Sequence, residues 1–473
     1  MHRKVFLLPL ILFSILAMSH GQSQAQGEPR RPRAAGVEES LASEQSPIAA
    51  GFFGVGYAQC ENTLKCDLAD TYAGLGAQRV KIANIQWGNI EPNPPTDGQH
   101  DYQWWSLDHL VSNWQAAGYE VWILLRARCD WAGVEPYDPV SGLAASTMPQ
   151  DQYLDDYQDW VRAVVERYDD DGVDDVGDWA HELLAPVRIY EFESEAQIPV
   201  QWQGRSRETN IQDYQELLGL ARQAAQDAYA DVQIVLAGVG ATDIFDDFPS
   251  DEQMEEHIAA LEGESELLFR EAITFTQQTL AASDLYDIVE FHANSNYTGM
   301  YGDVEWIRGM MPDSKPLWAG DASSAPTLVK ASDWDFHPPF GETGEQLYQD
   351  LKNEDPATLA WYRKEQAELT AKKLVVGLEL GLELVSPGNL TDWPELFSGK
   401  NWAYQGMVDG GMWTYNPDQD APRPVFYTYH LLAEKLADAT AIERLRLVPQ
   451  TDPQITDTDL GRAPEIYAYR VTT

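Results

Sequence analysis

Two stretches of the sequence end in a carboxylate that directly follows an apolar run. In VRIYEFESEAQIP, Glu191, Glu193 and Glu195 lie among apolar and aromatic residues, and in KPLWAGDASS the run ends at Asp321. A carboxyl group in apolar surroundings has a raised pKa and favours a general acid, while a second carboxylate acts as a base or nucleophile. If the two groups face one another, this is the chemistry that hydrolysis of a glycosidic bond requires. The spacing of the three glutamates also fits a solvated or ion-paired set.

The elements that must position these carboxylates alternate between short apolar runs and amphipathic stretches of helical length. Because parallel strands need crossover helices and eight such units close a barrel, we predict an α/β chain folded as a (β/α)8 TIM barrel. Glu195 and Asp321 would then lie at the C-terminal ends of the fourth and seventh strands, on one barrel mouth. The predicted strands are 51–57, 79–85, 120–126, 187–193, 232–238, 288–292, 316–319 and 380–386, and the helices are 107–117, 153–168, 213–229, 266–282, 357–374 and 426–436.

A doubly wound open sheet is the alternative fold. It needs a glycine-rich turn after the first strand, whereas the glycines of GFFGVG lie within the predicted strand and no GxGxxG follows. We place the barrel at 48–440. The remaining 441–473 contain two alternating runs, 443–448 and 465–471, which predict a small C-terminal β appendage.

Composition excludes several classes of protein. The chain has 473 residues, of which 44% are hydrophobic, and 76 acidic residues against 32 basic ones give a formal charge of −44. So much apolar material excludes a disordered chain. The negative field disfavours nucleic acid and anionic membranes as partners, so a neutral or cationic partner is expected. The acidity fits either a saline environment or an ordinary acidic extracellular protein.

The N-terminus predicts export. MHRK precedes the apolar run VFLLPLILFSILAM, which is too short to span a bilayer comfortably, so 1–25 read as a signal peptide and 26–47 as a flexible leader. We expect a secreted or periplasmic protein without a membrane attachment once the signal is removed. Export permits a disulfide between Cys60 and Cys66, which leaves Cys129 as a buried thiol.

Several segments together resemble the clan A glycoside hydrolases, nearest to the β-xylosidase-like enzymes of family 39. These segments are GAQRVKI with QWGNIEP, the YDDDGVDD loop, YEFESEAQ, KPLWAGDA and PRPVFYTYHLLAEKL. The resemblance implies a barrel that cleaves β-glycosides with retention, Glu195 as acid/base and Asp321 at the position of the nucleophile. Two positions depart from the family, because Ser194 stands where Asn is usual and Asp321 where Glu is usual. The side chain of Asp is one methylene shorter than that of Glu, so the carboxyl groups of Glu195 and Asp321 would lie further apart than in the family. Hydrolysis with retention at the anomeric carbon, hydrolysis with inversion and loss of hydrolysis all stay open.

Other residues after the predicted strands fit a sugar site. His292, Asn294 and Tyr297 follow the sixth strand, where similar enzymes carry His or Tyr groups that hydrogen-bond the nucleophile; a polar loop is the alternative. Arg126 is suited either to a substrate carboxylate or to balancing local acidic groups. Ser194 is a further substrate-binding candidate. Trp faces stack on pyranose rings, and core packing is the alternative for the three candidates Trp87, Trp131 and Trp202.

We predict a secreted glycoside hydrolase that acts on a β-linked plant or algal oligo- or polysaccharide and needs no cofactor. A catalytically silent carbohydrate-binding barrel is the alternative, and a metal-dependent barrel hydrolase is a third reading. No metal site is predicted at the barrel mouth. An aspartate-rich loop fails the EF-hand pattern but leaves a weak calcium candidate at Asp169, Asp171 and Asp174 or Asp175.

Overall fold

The computed structural model describes residues 51–56, 67–72, 74–138, 145–176, 183–239, 251–260, 263–294, 296–324, 344–392, 404–411, 416, 418–444 and 469–472. The predicted signal peptide and leader, 1–47, lie outside these ranges, as do Cys60 and Cys66.

An eight-stranded parallel sheet forms the centre of the chain, and its strands follow one another in sequence order. Isolated parallel bridges from Phe53 to Val385 and from Gly56 to Asn389 join the last strand to the first, so the sheet closes into a barrel. The prediction of a (β/α)8 barrel is therefore confirmed. The barrel strands are β1 (Gly54–Val55), β2 (Arg79–Gln86), β3 (Glu120–Arg126), β4 (Ile189–Phe192), β5 (Gln233–Val239), β6 (Ile288–His292), β7 (Leu317–Asp321) and β8 (Leu384–Val385).

Helices surround the barrel and supply the crossovers between its strands. They are α1 (Asp67–Tyr72), α2 (Trp87–Ile90), α3 (Trp105–Ala116), α4 (Leu154–Arg167), α5 (Asn210–Ala228), α6 (Asp251–Ala260), α7 (Glu264–Ala281), α8 (Gly299–Met310), α9 (Gly344–Lys352), α10 (Pro356–Glu379) and α11 (Pro424–Leu436). The longest, α10, begins with Asp355, whose carboxylate accepts a hydrogen bond from the backbone N–H of Thr358.

Side chains alternate between two cores because successive residues of a strand point to opposite faces. The outward residues of the strands pack against the helices in one continuous apolar cluster. The inward residues near the N-terminal ends form a separate apolar layer inside the barrel, where Trp122 and Trp318 meet edge to face with ring centroids 5.4 Å apart. The members of this layer are Trp122, Ile189, Val235, Ile288, Trp318 and Leu384. It fills the barrel near the N-terminal ends of the strands.

The C-terminal appendage is a two-stranded antiparallel sheet of β9 (Ala441–Arg444) and β10 (Tyr469–Thr472). The Tyr469 hydroxyl donates to Glu379 of α10 at 2.8 Å, which fixes this sheet against the barrel. A β appendage was predicted, although its first strand begins two residues earlier than the run from which it was inferred.

Within the described parts of the chain, every helix is too short or too polar to cross a bilayer.

Candidate active site

The segment after β4 is fixed by the side chain of Glu193. Its Oε1 accepts hydrogen bonds from the backbone N–H of Ala127 at 2.6 Å and from the Ser146 hydroxyl at 2.7 Å, and its Oε2 accepts from Arg126 at 3.2 Å. Glu193 has a positive φ of 64°, which is rare for a residue with a Cβ, and these bonds hold the backbone there. Glu193 is thus a buried anchor that directs the chain toward the next carboxylate.

Glu195 lies two residues further on and also has a positive φ, 50°. Its Oε1 is 2.9 Å from Nδ1 of His292, and its Oε2 accepts a hydrogen bond from the amide of Gln201 at 3.3 Å. The side chain keeps 23% of its surface exposed, so it is open to a ligand at the barrel mouth. Both carboxylate oxygens are held by donors before any substrate arrives.

A chain of alternating charges runs from Glu195 into the barrel. His292 contacts Glu195 with one ring nitrogen and Glu290 with the other, at 2.9 and 3.4 Å. Nζ of Lys81 lies 3.5 Å from Glu290 and 2.8 Å from Glu191. Lys81, Glu191 and Glu290 are fully buried, and His292 nearly so. Since buried charges are tolerated only when paired, each member of this charge chain depends on its neighbours.

The charge chain shifts the pKa of each member. Burial would lower the pKa of Lys81, but Glu191 and Glu290 together raise it above its usual range. Burial raises the pKa of Glu191 to about 7, against the opposing charge of Lys81. Burial would also raise the pKa of Glu290, but Lys81 and His292 lower it. Burial would likewise raise the pKa of Glu195, but its pKa is lowered, mainly by His292. The two carboxylates raise the pKa of His292 well above its usual range despite its burial. The two carboxylates therefore favour the charged form of His292.

Two glycines on the neighbouring strands make room for the charge chain. A Cβ on Gly320 of β7 would lie 2.2 Å from Oε1 of Glu290, and a Cβ on Gly238 of β5 would lie 2.1 Å from Nε2 of His292. Neither side chain has an alternative place, because both are buried and paired.

We therefore expect Gly320→Ala to destabilise the protein by about 1–3 kcal/mol, the usual cost of overpacking. Gly309→Ala is the matched control, since Gly309 lies in α8 with no atom within 4 Å of the added Cβ. That control should be neutral or stabilising by about 0.5–1 kcal/mol. Thermal unfolding of both variants checks this, and equal midpoints would contradict it.

Asp321 ends β7 and is the register partner of His292 on β6. Its backbone carbonyl accepts a hydrogen bond from the N–H of Ala293 at 2.8 Å. Burial raises the pKa of the Asp321 carboxyl; the charges of His292 and Lys81 oppose this, and Glu290 and Glu195 reinforce it. Glu195 and Asp321 are therefore within electrostatic reach of one another at the same mouth.

Lys373 of α10 fixes the loops that carry these groups. It is fully buried and donates hydrogen bonds of 2.5–3.0 Å to the backbone carbonyls that follow β6 and β7, those of Ala293, Ala322 and Ser323. One ammonium group thus ties the ends of two adjacent strands together.

The charge chain predicts a specific dependence of stability on pH. The pKa of His292 is higher in the folded than in the unfolded state. Such a group contributes its full stabilisation of the fold below its unfolded pKa of about 6.5, and this contribution is lost as the pH rises through its folded pKa. Glu195 and Glu290, whose folded pKa values are lowered, stabilise above about pH 4.3 and lose this as pH falls through their folded values. The unfolding midpoint of the native protein should therefore exceed that of the His292→Gln variant, and the difference should be largest between about pH 4.5 and 6.5. A difference that stays constant from pH 4 to 9 would contradict this reading of His292.

The structure corrects two of the predicted sugar platforms. Trp87 and Trp202 are both fully buried. Trp87 opens α2 and packs against Trp131 and Trp160, with ring centroids 4.9 and 5.9 Å away, and Trp202 packs edge to face on Tyr214. Neither ring has a free face for a sugar, because at both positions the chain turns into the space between barrel and helices. Their prediction as substrate-binding residues is wrong.

Trp131 is only partly buried. Its indole N–H donates to the backbone carbonyl of Glu91 at 2.9 Å, and its ring contacts Trp87 and Tyr153 edge to face. It stays a candidate platform.

His292 contacts a different carboxylate from the one expected. The resemblance implied a hydrogen bond to the nucleophile position, Asp321, whereas the imidazole contacts Glu195. Apolar surroundings were expected to raise the pKa of Glu195. Burial is indeed the largest single effect, but the charge and hydrogen bond of His292, with Arg126, lower the pKa of Glu195 on balance. The carboxyl whose pKa is raised to about 7 is Glu191, one level deeper in the barrel.

The remaining predicted residues lie around this mouth. Ser194 and Tyr297 are buried, and Oδ1 of Asn294 is buried with no hydrogen-bond partner among the described residues. Arg126 is engaged by Glu193 and by Gln201, whose carbonyl and side-chain oxygens each accept from it at 3.0 Å. These contacts fit the second interpretation of Arg126, in which it balances local acidic groups.

The aspartate-rich loop brings three carboxylates together. Oxygens of Asp169, Asp171 and Asp175 lie within 4.8 Å of one another, whereas Asp174 is not part of this group. Burial raises the pKa of Asp169 to about 6. The loop lies between α4 and β4, and its acidic groups also accept hydrogen bonds from backbone N–H groups of the loop, as Asp175 does from Gly172 at 2.6 Å.

Sequence reasoning did not identify Lys81, Glu290, Gln201 or Lys373 as parts of the site. One signal was present for the first two, since a lone charge stands between apolar residues in RVKIANI and in IVEFH. In a barrel strand such a position points inward, where a charge needs a partner on another strand.

The chain was compared with known proteins. No family model and no curated protein matches it. Solved structures that resemble it include a monomeric β-xylosidase from Caulobacter crescentus CB15, with 14% identity, 82% of this chain and 69% of that chain covered and a TM-score of 0.49. A GH39 enzyme from Xanthomonas axonopodis pv. citri has 14% identity, coverages of 82% and 67% and a TM-score of 0.47. A GH5_18 enzyme from Bifidobacterium longum has 11% identity, coverages of 82% and 79% and a TM-score of 0.47. The assignment of the (β/α)8 fold follows from the strand order and register described above, and these glycoside hydrolases are proteins that the chain resembles.

Proposed function

We propose that the protein is an exported glycoside hydrolase that cleaves a β-linked plant or algal oligo- or polysaccharide with Glu195 and Asp321. The observation that carries this is the placement of the two carboxylates at the ends of β4 and β7, on one mouth, with His292 in contact with one and paired in register with the other. Two carboxylates in such a place supply the acid and the base or nucleophile that glycoside hydrolysis needs.

Charge supports a sugar substrate over an anionic polymer. The formal charge of −44 repels nucleic acids and other polyanions, whereas neutral saccharides are indifferent to it. The donors around Glu195 add the polar contacts that a hydroxyl-rich ligand requires. The likeness to enzymes whose names include β-xylosidase directs the choice of first substrates toward β-xylosides and neighbouring β-glycosides.

The test is hydrolysis of aryl β-xylosides, β-glucosides and β-galactosides and of the matching polysaccharides. The native protein and Glu195→Gln are compared at low and molar salt. We expect the native protein to hydrolyse at least one substrate and the variant to bind it without turnover. Binding without hydrolysis by the native protein would contradict the proposal.

The alternative is a carbohydrate-binding barrel that has lost the chemistry. The two departures from the family pattern, Ser194 and Asp321, favour it. Restoring the usual residues with Ser194→Asn and Asp321→Glu should create hydrolysis if the alternative is correct. If the native site is already active, the same double variant should change turnover far less.

A further inference from the structure

A pocket of about 200 Å³ lies between the first turn of α5 and the middle of α7. One of its lining residues, Phe275, is buried in the apolar cluster between the barrel and the helices and packs on Tyr214 with ring centroids 5.3 Å apart. The pocket therefore belongs to the layer of helices and is separate from the interior of the barrel, where the charge chain lies.

Two side chains that line this pocket have donors without partners. The amide Nε2 of Gln197 is buried and has no hydrogen-bond partner among the described residues, and only 5% of this residue is exposed. The guanidinium group of Arg207 faces the carboxylates of Asp138 and Glu271, but each is 3.9 Å away. A buried donor without a partner costs free energy, so the pocket favours a ligand that brings acceptor oxygens.

Arg207 and Glu271 form an open pair in the wall of the pocket. The 3.9 Å between Nε of Arg207 and Oε2 of Glu271 exceeds the roughly 2.7–3.2 Å of a hydrogen bond. A hydroxyl group beside them can accept from the guanidinium group and donate to the carboxylate, which an anion cannot do. Glu271 and the formal charge of −44 also repel an anion. The pair therefore favours a neutral ligand that carries hydroxyl groups.

We propose that this pocket is a second saccharide-binding site, which takes one neutral pyranose unit of a β-linked chain outside the barrel mouth. The choice of a saccharide as ligand rests on the proposed function. Gln197 and Arg207 donate hydrogen bonds to oxygens of the sugar, and Glu271 accepts one from a hydroxyl group. Tyr137 and Pro199 add apolar surface, which suits the C–H face of a pyranose ring.

The volume of the pocket sets the size of the ligand. Pockets that bury a drug-sized molecule have roughly 300–1,000 Å³. At about 200 Å³, this pocket has room for a single ring and not for an oligosaccharide.

The wall of the pocket is continuous with the turn that carries Glu195. Gln197 and Pro199 follow Glu195 in this turn, and the backbone N–H of Ile198 donates to the carbonyl of Glu195 at 2.9 Å. The buried amide of Gln203 donates to the carbonyl of Pro199 at 2.9 Å and to that of Asp138, next to Tyr137, at 2.7 Å. The second site is thus built on the same short segment that presents a carboxylate to the mouth.

The test measures how strongly variants of the pocket adsorb to insoluble linear xylan, cellulose and mannan, which carry no charge. All proteins also carry Glu195→Gln, so that no polymer is consumed. The pocket variants are Arg207→Leu, Glu271→Leu and Thr274→Met, the last of which fills the pocket from an exposed position of α7. Arg162→Leu is the matched control, because it removes the same charge from α4, where 40% of the side chain of Arg162 is exposed, compared with 35% for Arg207. Thermal unfolding establishes that each variant is folded.

We expect each pocket variant to lower the association constant for at least one polymer by about threefold or more, because hydrogen bonds or space for the sugar are lost. The control should bind like the parent protein. Loss of binding in Glu271→Leu as well as in Arg207→Leu is the result that a bridging hydroxyl group predicts.

Binding that equals the control in all three pocket variants would overturn the proposal. Tighter binding by Glu271→Leu would overturn it too, because the carboxylate would then oppose the ligand. A parent protein that adsorbs to none of the polymers would also overturn it. These measurements need no turnover, so a failure of the proposed function, seen as absent hydrolysis by the native protein, is distinguished from a failure of the second site.

Discussion

Glu195→Gln and Asp321→Asn are each expected to lower kcat/KM on an oligosaccharide substrate by about 10³-fold or more. An oligosaccharide has a poor leaving group, so attack on the anomeric carbon and protonation of the leaving oxygen are both required. Because the two carboxylates act in one step, their effects should not multiply. The double variant should be no more than about tenfold worse than the worse single variant, as is found for residues that act as a unit.

Steady-state kinetics on folded variants checks this. Glu383→Gln is the control that should keep native activity, because Glu383 is exposed and precedes β8 at the opposite end of the barrel. Fully multiplicative losses, or a native rate in either single variant, would show that the pair at the mouth does not carry the reaction.

Lys81→Met is expected to destabilise the protein by about 3–5 kcal/mol at pH 7. The substitution leaves Glu191 and Glu290 buried side by side without the ammonium group that lies 2.8 and 3.5 Å from them. Removing one partner of a buried ion pair leaves an uncompensated charge, which costs about this much. Adding Glu191→Gln should recover part of the loss, since it removes one of the two stranded carboxylates.

Urea unfolding of the two variants measures these losses. Lys364→Met is the matched control, because Lys364 lies on α10 with 61% of its side chain exposed. An exposed ion pair contributes at most about 1 kcal/mol, so this control should remain close to the native protein. A Lys81→Met protein as stable as that control would contradict the account of the charge chain.

Local patterns were sufficient to predict the barrel. The run EVWILLR is apolar between its charged ends and predicted a strand at 120–126, which is the extent of β3. The pattern failed at the last strand, where 380–386 was predicted and β8 is Leu384–Val385. There α10 continues to Glu379 and the chain turns at Gly381, whose φ is +66°, before the strand begins. Helix ends depend on capping and packing, which a periodicity in hydrophobicity does not specify.

The site was only partly predictable. Glu195 and Asp321 were found because each follows an apolar run, and that rule concerns neighbours in sequence. The contact of Lys81 with Glu290 joins residues 209 positions apart, so no local pattern specifies it. The error at Trp87 has a related cause. A tryptophan after a strand can face solvent or turn inward, and only the packing of the surrounding rings decides between them.

The most direct measurement is covalent trapping on the native protein with a 2-deoxy-2-fluoro β-glycoside that carries a dinitrophenyl leaving group. Such a substrate lets the first step proceed and slows the second, so the sugar accumulates on the attacking carboxylate. Mass spectrometry of the digested protein should show one fluoro-sugar on one carboxylate of the pair, Asp321 or Glu195. A label on any other residue would contradict the proposal that this pair carries the reaction. Release of the dinitrophenol at full rate with no label would contradict a covalent two-carboxylate mechanism at this site.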